Sequence, residues 1–210
     1  MICMDVGANI GEMALHLGRR VGPTGRVYAF EPVPHVRARL EAHVARNGLS
    51  EIIKVCGVAL SDRIGSVEMA VAPEETQNQG MGSIVNNAQS ILSNRFTVPT
   101  TTLDAFVESE KISRIDVMKI DIQGAEPLLL DGGKEVFKRM AIDFVMEISE
   151  EDLAGMGRTG KDLMAQVEGY GYSVYELLEN GKAGRRVRAA DVGKVSTLDN
   201  VICTKSQPSV

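Results

Sequence analysis

The chain has 210 residues, 44% of them hydrophobic, with 28 acidic side chains against 23 basic ones and a formal net charge of −5. That length suits a single domain able to bury a real core. The acidic balance disfavours nucleic acid as the main partner, since a phosphate backbone calls for a basic face. No apolar run approaches the roughly 20 residues of a membrane span, and no signal peptide is read at the start. Cys3, Cys56 and Cys203 lie far apart in apolar runs and share no metal-ligand spacing. Buried free thiols in a reducing compartment are the expectation, hence a cytoplasmic protein without membrane contact.

Met1 to Val6 reads as a buried strand that ends at Asp5-Val6-Gly7. Met13, Leu17 and Val21, four apart, predict a helix with one apolar stripe. Gly22-Pro23-Thr24-Gly25 breaks it. A second strand, Arg26 to Phe30, runs into Glu31-Pro32. Pro34 opens the next helix at a position where a missing N–H is harmless. Val36, Leu40 and Val44 form its stripe, Asn47-Gly48 ends it, and Ile52 to Val55 is a third strand. This alternation of strands and helices is the signature of a parallel sheet covered on both faces.

Ser66 to Ala72 predicts a further strand. From about 73 to 94 the chain turns polar and loses periodicity, with Gln77, Asn78, Gln79, Asn86, Asn87 and Gln89 around Gly80 and Gly82. So long an aperiodic stretch marks a functional loop or a disordered one inserted into the domain, here expected to be a mobile cover over an acceptor site. Phe96 to Thr102 is a strand, and Leu103 to Ser109 a short helix capped by Thr102. Ile115 to Ile122 is an apolar strand carrying Asp116, Lys119 and Asp121, followed by a helix from Ala125 that Gly132-Gly133 loosens. Ala141 to Ile148 is another buried strand with Glu147 near its far end, and Leu163, Val167 and Tyr170 mark one more helix. Two strands close the chain, Ser173 to Leu178 and Thr197 to Thr204, joined by a basic loop with Lys182, Arg185, Arg186 and Arg188.

Asp5-Val6-Gly7-Ala8-Asn9-Ile10-Gly11 stands where a strand hands over to a helix. Glycines there let the backbone turn sharply and approach a ligand at unsatisfied helix N–H groups. Asn9 can replace a glycine because asparagine tolerates left-handed geometry. Glu31 ends the next strand, about 20 residues on, where an acid can accept both hydroxyls of an adenosine ribose. A dinucleotide would want G-x-G-x-x-G for its pyrophosphate, which this chain lacks. Asp5 would repel a pyrophosphate and would suit the ammonium of S-adenosylmethionine, directly or through the loop backbone.

The chain resembles the FkbM-type methyltransferases over nearly its whole length. The resemblance runs through Asp5-Val6-Gly7-Ala8-Asn9-Ile10-Gly11, Ala29-Phe30-Glu31-Pro32 and Ala59-Leu60-Ser61-Asp62. It continues in Thr102-Leu103-Asp104, in Lys119-Ile120-Asp121-Ile122-Gln123-Gly124-Ala125-Glu126 and in Met146-Glu147. It implies an α/β, Rossmann-like class I methyltransferase fold with a mostly parallel seven-stranded sheet and a final antiparallel hairpin. It also implies transfer of a methyl group from S-adenosylmethionine to a hydroxyl of a sugar, glycan or polyketide-like small molecule. By the same resemblance Asp5, Gly7, Asn9 and Gly11 hold the methionine end, Glu31 the ribose, and Val58-Ala59-Leu60 lies along the adenine. Two departures stand out. Family members commonly have Glu where this chain has Gln123, and they usually carry helical sequence before the first strand. Either the true start lies upstream, or a second chain, as in a homodimer, covers that side of the pocket.

Methyl transfer from a sulfonium is an in-line displacement, so alignment and exclusion of water are most of the enzyme's task. An alcohol also benefits from a base, for which Asp121 is the candidate, with Glu126 and Glu147 as catalytic neighbours. An isolated aspartate near pKa 3.9 is a poor base, and burial beside other carboxyls would raise it. Mg²⁺ is compatible with such chemistry but not favoured, and no residue is assigned as a metal ligand. Two other readings stay open. One is an N-methyltransferase of protein or nucleic acid, disfavoured because Asp121-Ile122-Gln123-Gly124 lacks the Asn/Asp-Pro-Pro-aromatic motif. The other is a non-catalytic cofactor-binding protein.

Overall fold

A computed structural model describes residues 1–71, 82–84, 94–192 and 200–206. The first third follows the predicted alternation: β1 (Ile2–Val6), α1 (Glu12–Val21), β2 (Arg26–Phe30), α2 (Pro34–Arg46), β3 (Ile53–Cys56). After it come β4 (Ala59–Leu60), β5 (Gly65–Val71), β6 (Gly82–Ile84), β7 (Asn94–Thr101) and α3 (Leu103–Ser109). Next are β8 (Val117–Ile120), α4 (Glu126–Gly132), α5 (Lys134–Arg139), β9 (Asp143–Glu147), α6 (Glu150–Gly155) and α7 (Gly160–Gly169). β10 (Ser173–Leu177), β11 (Ala183–Val187) and β12 (Asn200–Thr204) complete the described order. The polar insertion expected at about 73–94 lies outside the described residues except for 82–84 and 94.

The main sheet runs β11-β10-β12-β9-β8-β1-β2-β3. β9, β8, β1, β2 and β3 are parallel to one another, while β12, β10 and β11 join antiparallel. Among the described residues the sheet therefore has eight strands, where seven were expected. The extra strand, β11, comes from the segment read as a basic loop. Its exposed Arg185 and Arg186 suit a sheet edge, where charge discourages pairing with another chain. A second sheet, β4-β7-β5-β6, was not foreseen as a separate layer. Its inner residues Met69 and Val98 pack with Val33 and Val36 of the α2 entry, beside Ile10 and Ala59.

Helix α2 buries Val36, Leu40 and Val44 as its stripe predicts, and Thr102 Oγ1 accepts from Ala105 N at 3.1 Å to cap α3. Helix α1 differs. Its buried residues are Ala14, Gly18 and Val21, while Met13 is 44% exposed. Small side chains face the sheet because the helix lies close to it: a Cβ on Gly18 would crowd Ile53 of β3. The bulky Met13 is thereby turned outward.

In the antiparallel half, Tyr172 packs edge-on against Phe144 at 5.1 Å between ring centres. Its hydroxyl donates to Met140 O at 3.0 Å and accepts from Ile142 N at 3.4 Å. One buried oxygen thus satisfies both backbone groups at the entry to β9. Tyr172→Phe should lower stability by about 1–3 kcal/mol, read as a shift in the urea midpoint with an unchanged slope.

Candidate active site

The carboxyl ends of β8, β1, β2 and β3 open on one cleft of about 600 Å³, within the span of roughly 300–1,000 Å³ common to small-molecule sites. Strand ends of a parallel sheet gather there because every connecting helix starts at that edge.

The glycine loop after β1 is held from two sides. Gly7 N and Ala8 N donate to Phe30 O at 3.2 and 2.9 Å, at the end of β2. Glu31 Oε2 accepts from Asn9 N at 3.0 Å, and its Oε1 accepts from Val33 N at 2.9 Å. Glu31 is 5% exposed and lines the cleft. Burial raises its carboxyl above the usual range, and the two N–H donors oppose that. Each carboxylate oxygen has a second lone pair, so Glu31 can brace the loop and still accept from ligand hydroxyls.

Gly7 and Gly11 are needed for contact rather than for flexibility alone. Both have left-handed backbones, with φ of 79° and 98°. A Cβ on Gly7 would run into the Asp121 carbonyl oxygen, and one on Gly11 into Leu40 of α2. Asn9 takes φ 50°, as its tolerance for that region allows. His43 of α2 donates from Nδ1 to Ile10 O at 2.7 Å and so fixes the loop from behind.

Of the two expected placements of Asp5, on the wall or behind the loop backbone, the structure has the second. The residue is fully buried and absent from the residues that line the cleft. Neither carboxylate oxygen makes a hydrogen bond of ordinary geometry, but the backbone N–H of Ala14 and the ammonium of Lys119, whose Nζ lies 3.7 Å from Oδ1, both favour the charged form. Burial pushes the group up to about 6, with Lys119 opposing. Asp5 sits beneath the loop, not on the wall, and Gly11 likewise serves α1–α2 packing rather than the wall.

The end of β8 carries the densest chemistry. Lys119 pairs in register with Asp5 on β1. Its Nζ donates to Gly7 O at 3.0 Å and lies 3.1 Å from Asp121 Oδ2. Gln123, with φ 52°, donates from Nε2 to Asp121 Oδ1 at 3.0 Å and to Glu147 Oε2 at 3.2 Å. The amide that replaces an acid therefore bridges two carboxylates. Burial alone would raise Asp121, but Lys119 and the Gln123 amide outweigh it and hold the group below the ordinary range. Glu147 goes the other way, pushed up to about 7 by burial and then by Asp121, Glu126 and Asp152.

Of the three catalytic candidates, Asp121 alone lines the cleft. Glu126 is 3% exposed, and its Oε1 accepts from Ile122 N at 3.0 Å, closing the turn into α4. Glu147 is off the wall and joins the site through Gln123 and through Asp121 itself. Among the described residues no cluster of three or more His, Cys, Asp or Glu side chains is placed to hold a metal ion.

Ala59 and Leu60 line the far end with Val58, Val33 and Met69, an apolar wall suited to a flat base. Met13, His16 and Lys119 also line the cleft and were not read as site residues. The basic residues around β11 stand five strands from β1, about 24 Å at the usual spacing, and Arg185 pairs with Glu176 at 2.8 Å. That patch does not face the cleft.

The sequence pattern of the methyltransferase FkbM domain matches residues 5–174. The chain belongs to that family. The 2-O-methyltransferase NoeI of Sinorhizobium fredii is 25% identical over 162 residues, covering 72% of this chain and 65% of the relative. The AMB antimetabolite synthetase AmbE of Pseudomonas aeruginosa is 31% identical over 189 residues, 75% of this chain but 9% of that protein. The chain thus spans less than two thirds of either relative. A crystal structure of an FkbM methyltransferase from Methylobacillus flagellatus shares the fold, with a TM-score of 0.56 at 14% identity, covering 96% of this chain and 42% of that one. The fold is that of a class I methyltransferase, and no helix among the described residues is long and apolar enough to cross a membrane.

The raised carboxyls set a pH dependence. A group raised in the folded chain holds its proton more tightly there than when unfolded, so stability falls as pH rises between the two values. For Glu147 that window runs from 4.5 to about 7, and Asp5 adds the same sign from 3.8 to about 6. Urea midpoints should decline across this range, and Glu147→Gln should flatten the upper part of the decline.

Proposed function

We propose that this FkbM-family chain transfers a methyl group from S-adenosylmethionine to a hydroxyl of a sugar, glycan or polyketide-like small molecule. The observation that carries the reading is the order of groups along the cleft. An apolar wall at Val58, Ala59 and Leu60 is followed by the Glu31 carboxylate, then the glycine loop, then Asp121. That order matches a base, a ribose, an amino-acid tail and a reacting acceptor laid across β3, β2, β1 and β8. The fit to the donor is good on chemistry as well. The Glu31 oxygens on the wall are of the kind that would accept from ribose hydroxyls, and the loop lacks the G-x-G-x-x-G pattern that suits a pyrophosphate. The relative NoeI bears the name 2-O-methyltransferase, which supports a hydroxyl acceptor.

The donor, when bound, supplies an electrophilic methyl group on a positively charged sulfur. The chain's own residues do the rest. Glu31 and the apolar wall orient the donor, and the left-handed loop brings backbone close to it. Asp121, on the wall, accepts a hydrogen bond from the acceptor hydroxyl and so aims its oxygen. A low carboxyl pKa is no obstacle to the proton step. An alcohol oxygen that gains a methyl group becomes a far stronger acid than a carboxylic acid, so an ionised Asp121 can take the proton as the new bond forms. Glu147, protonated at neutral pH more than an ordinary glutamate, limits repulsion in the pair. We take the route to be metal-free. The buried free thiols Cys3, Cys56 and Cys203 suit a reducing, cytoplasmic setting.

The test is turnover of labelled donor against a panel of sugars, glycans and polyketide-like hydroxyl compounds. Asp121→Asn should lower turnover about a hundredfold or more with donor affinity nearly unchanged, and EDTA should leave the rate intact. Glu31→Ala should weaken donor binding by about 1–3 kcal/mol in calorimetry. Near-normal turnover in the Asp121 variant would move the proton step to another group, and loss with EDTA restored by Mg²⁺ would overturn the metal-free route.

A further inference from the structure

Asp5 has no task in the reaction as proposed. It is fully buried, off the cleft, and its two oxygens lack hydrogen bonds of ordinary geometry. A carboxylate in such a place is costly unless a charge balances it. The balancing charge is Lys119, side by side with Asp5 through the register of β1 and β8 and 3.7 Å from Oδ1. On the other side of Asp5, the register places Ala29 of β2, which brings no charged group, and from α1 only the backbone N–H of Ala14 bears on it. Lys119 in turn reaches Gly7 O at 3.0 Å and Asp121 Oδ2 at 3.1 Å. One ammonium thus joins a buried acid, the glycine loop and the acid on the cleft wall.

We propose that Lys119 is a positioning residue, clamping the Asp121 carboxylate against the glycine loop, and that Asp5 acts on Asp121 through Lys119 rather than by touching a ligand. This rests on the reading of Asp121 as the acceptor of the hydroxyl proton. The physical content is a division of one positive charge. Asp5 draws part of the ammonium's field inward, and Asp121 feels the remainder. Removing Lys119 deprives Asp121 of its counter-ion and leaves Asp5 unbalanced. Removing the charge of Asp5 strengthens the hold of Lys119 on Asp121.

The other charged groups near this chain of contacts are few and nameable. Around Asp121 they are Lys119 on its own strand, Asp5 on β1, Glu147 on β9 and Glu126 on α4. Asp152 of α6 bears on Glu147, Glu31 at the end of β2 also feels Lys119, and Glu12 and His16 of α1 face the cleft. Asp121 is held low with Lys119 as the leading opposing charge, in keeping with the clamp.

Carbon-13 NMR titration of the Asp121 carboxyl in the cofactor-free chain tests this without knowledge of the acceptor. Lys119→Met should move the Asp121 midpoint up by about 1–3 pH units, Lys119→Arg should keep it near the wild-type value, and Asp5→Asn should move it down. Should Lys119→Met fail to fold alone, the D5N/K119M pair, which leaves no unbalanced buried acid, is compared with D5N and should show the same upward movement. An Asp121 midpoint unmoved by loss of Lys119 overturns the proposal. So does an Asp5→Asn chain that loses more than about tenfold in affinity for S-adenosylhomocysteine, in calorimetry, while its Asp121 titration stays put. That result would make Asp5 a ligand-binding group. Failure of the wild-type chain to bind S-adenosylhomocysteine at all would count against the donor assignment, while the titration would still decide the role of Lys119.

Discussion

Parallel pairing of β1 with β2 on one side and β8 on the other is the constraint from which the site follows. In-register pairing sets Asp5 beside Ala29 and Lys119, and Val6 beside Phe30 and Ile120. The next residues of each strand, Gly7, Glu31 and Asp121, therefore emerge on one edge. The loop N–H groups of Gly7 and Ala8 then find Phe30 O, and the Gly7 backbone lies against the Asp121 carbonyl with no space for a side chain. Three sequence segments far apart in the chain become one surface because a parallel sheet permits no other placement of their ends.

The same turning device appears twice on that edge. After β1, Asn9 and Gly11 take left-handed backbones before α1 begins. After β8, Gln123 and Gly124 do so before α4 begins. In both places a buried glutamate ties a backbone N–H: Glu31 that of Asn9, and Glu126 that of Ile122. Left-handed geometry at a residue with a side chain costs energy, and these hydrogen bonds oppose it. Glu126 thereby has a structural task in the turn into α4. Gln123 shows the opposite case, a strained residue whose side chain bridges the two carboxyls Asp121 and Glu147.

The small sheet closes the apolar end of the cleft, and β9, the next parallel strand after β8, stands behind the other end. Met69 and Val98 of β5 and β7 pack beside Ile10, Val33 and Ala59, closing the apolar end. β9 brings Glu147 to the acidic end, supported by β12 and β10. The opposite drift of Asp121 and Glu147 follows from position. Asp121 lies 3.1 Å from the Lys119 ammonium, whereas Glu147 has the carboxyls of Asp121, Glu126 and Asp152 around it.

By itself the sequence determined the element order, the stripe of α2, the cap at Thr102 and the handover from strand to glycine loop at Asp5 to Gly11. Each rests on local chemistry: periodicity, a missing N–H, or a left-handed turn that few residues accept. Glu31, Ala59, Leu60 and Asp121 were legible as wall residues because strand ends and a family pattern mark them. The seventh-or-eighth-strand question, the separate small sheet and the rotation of α1 that exposes Met13 were not. They depend on how closely elements pack, which a single helix or loop does not encode. Only tertiary structure decided that Asp5 lies under the loop, that Glu126 caps a turn, and that Lys119 and His43 hold the loop in place. Side-chain charges with identical local sequence signals were sorted by depth and by partners contributed from other strands, and those partners exist only once the sheet is assembled.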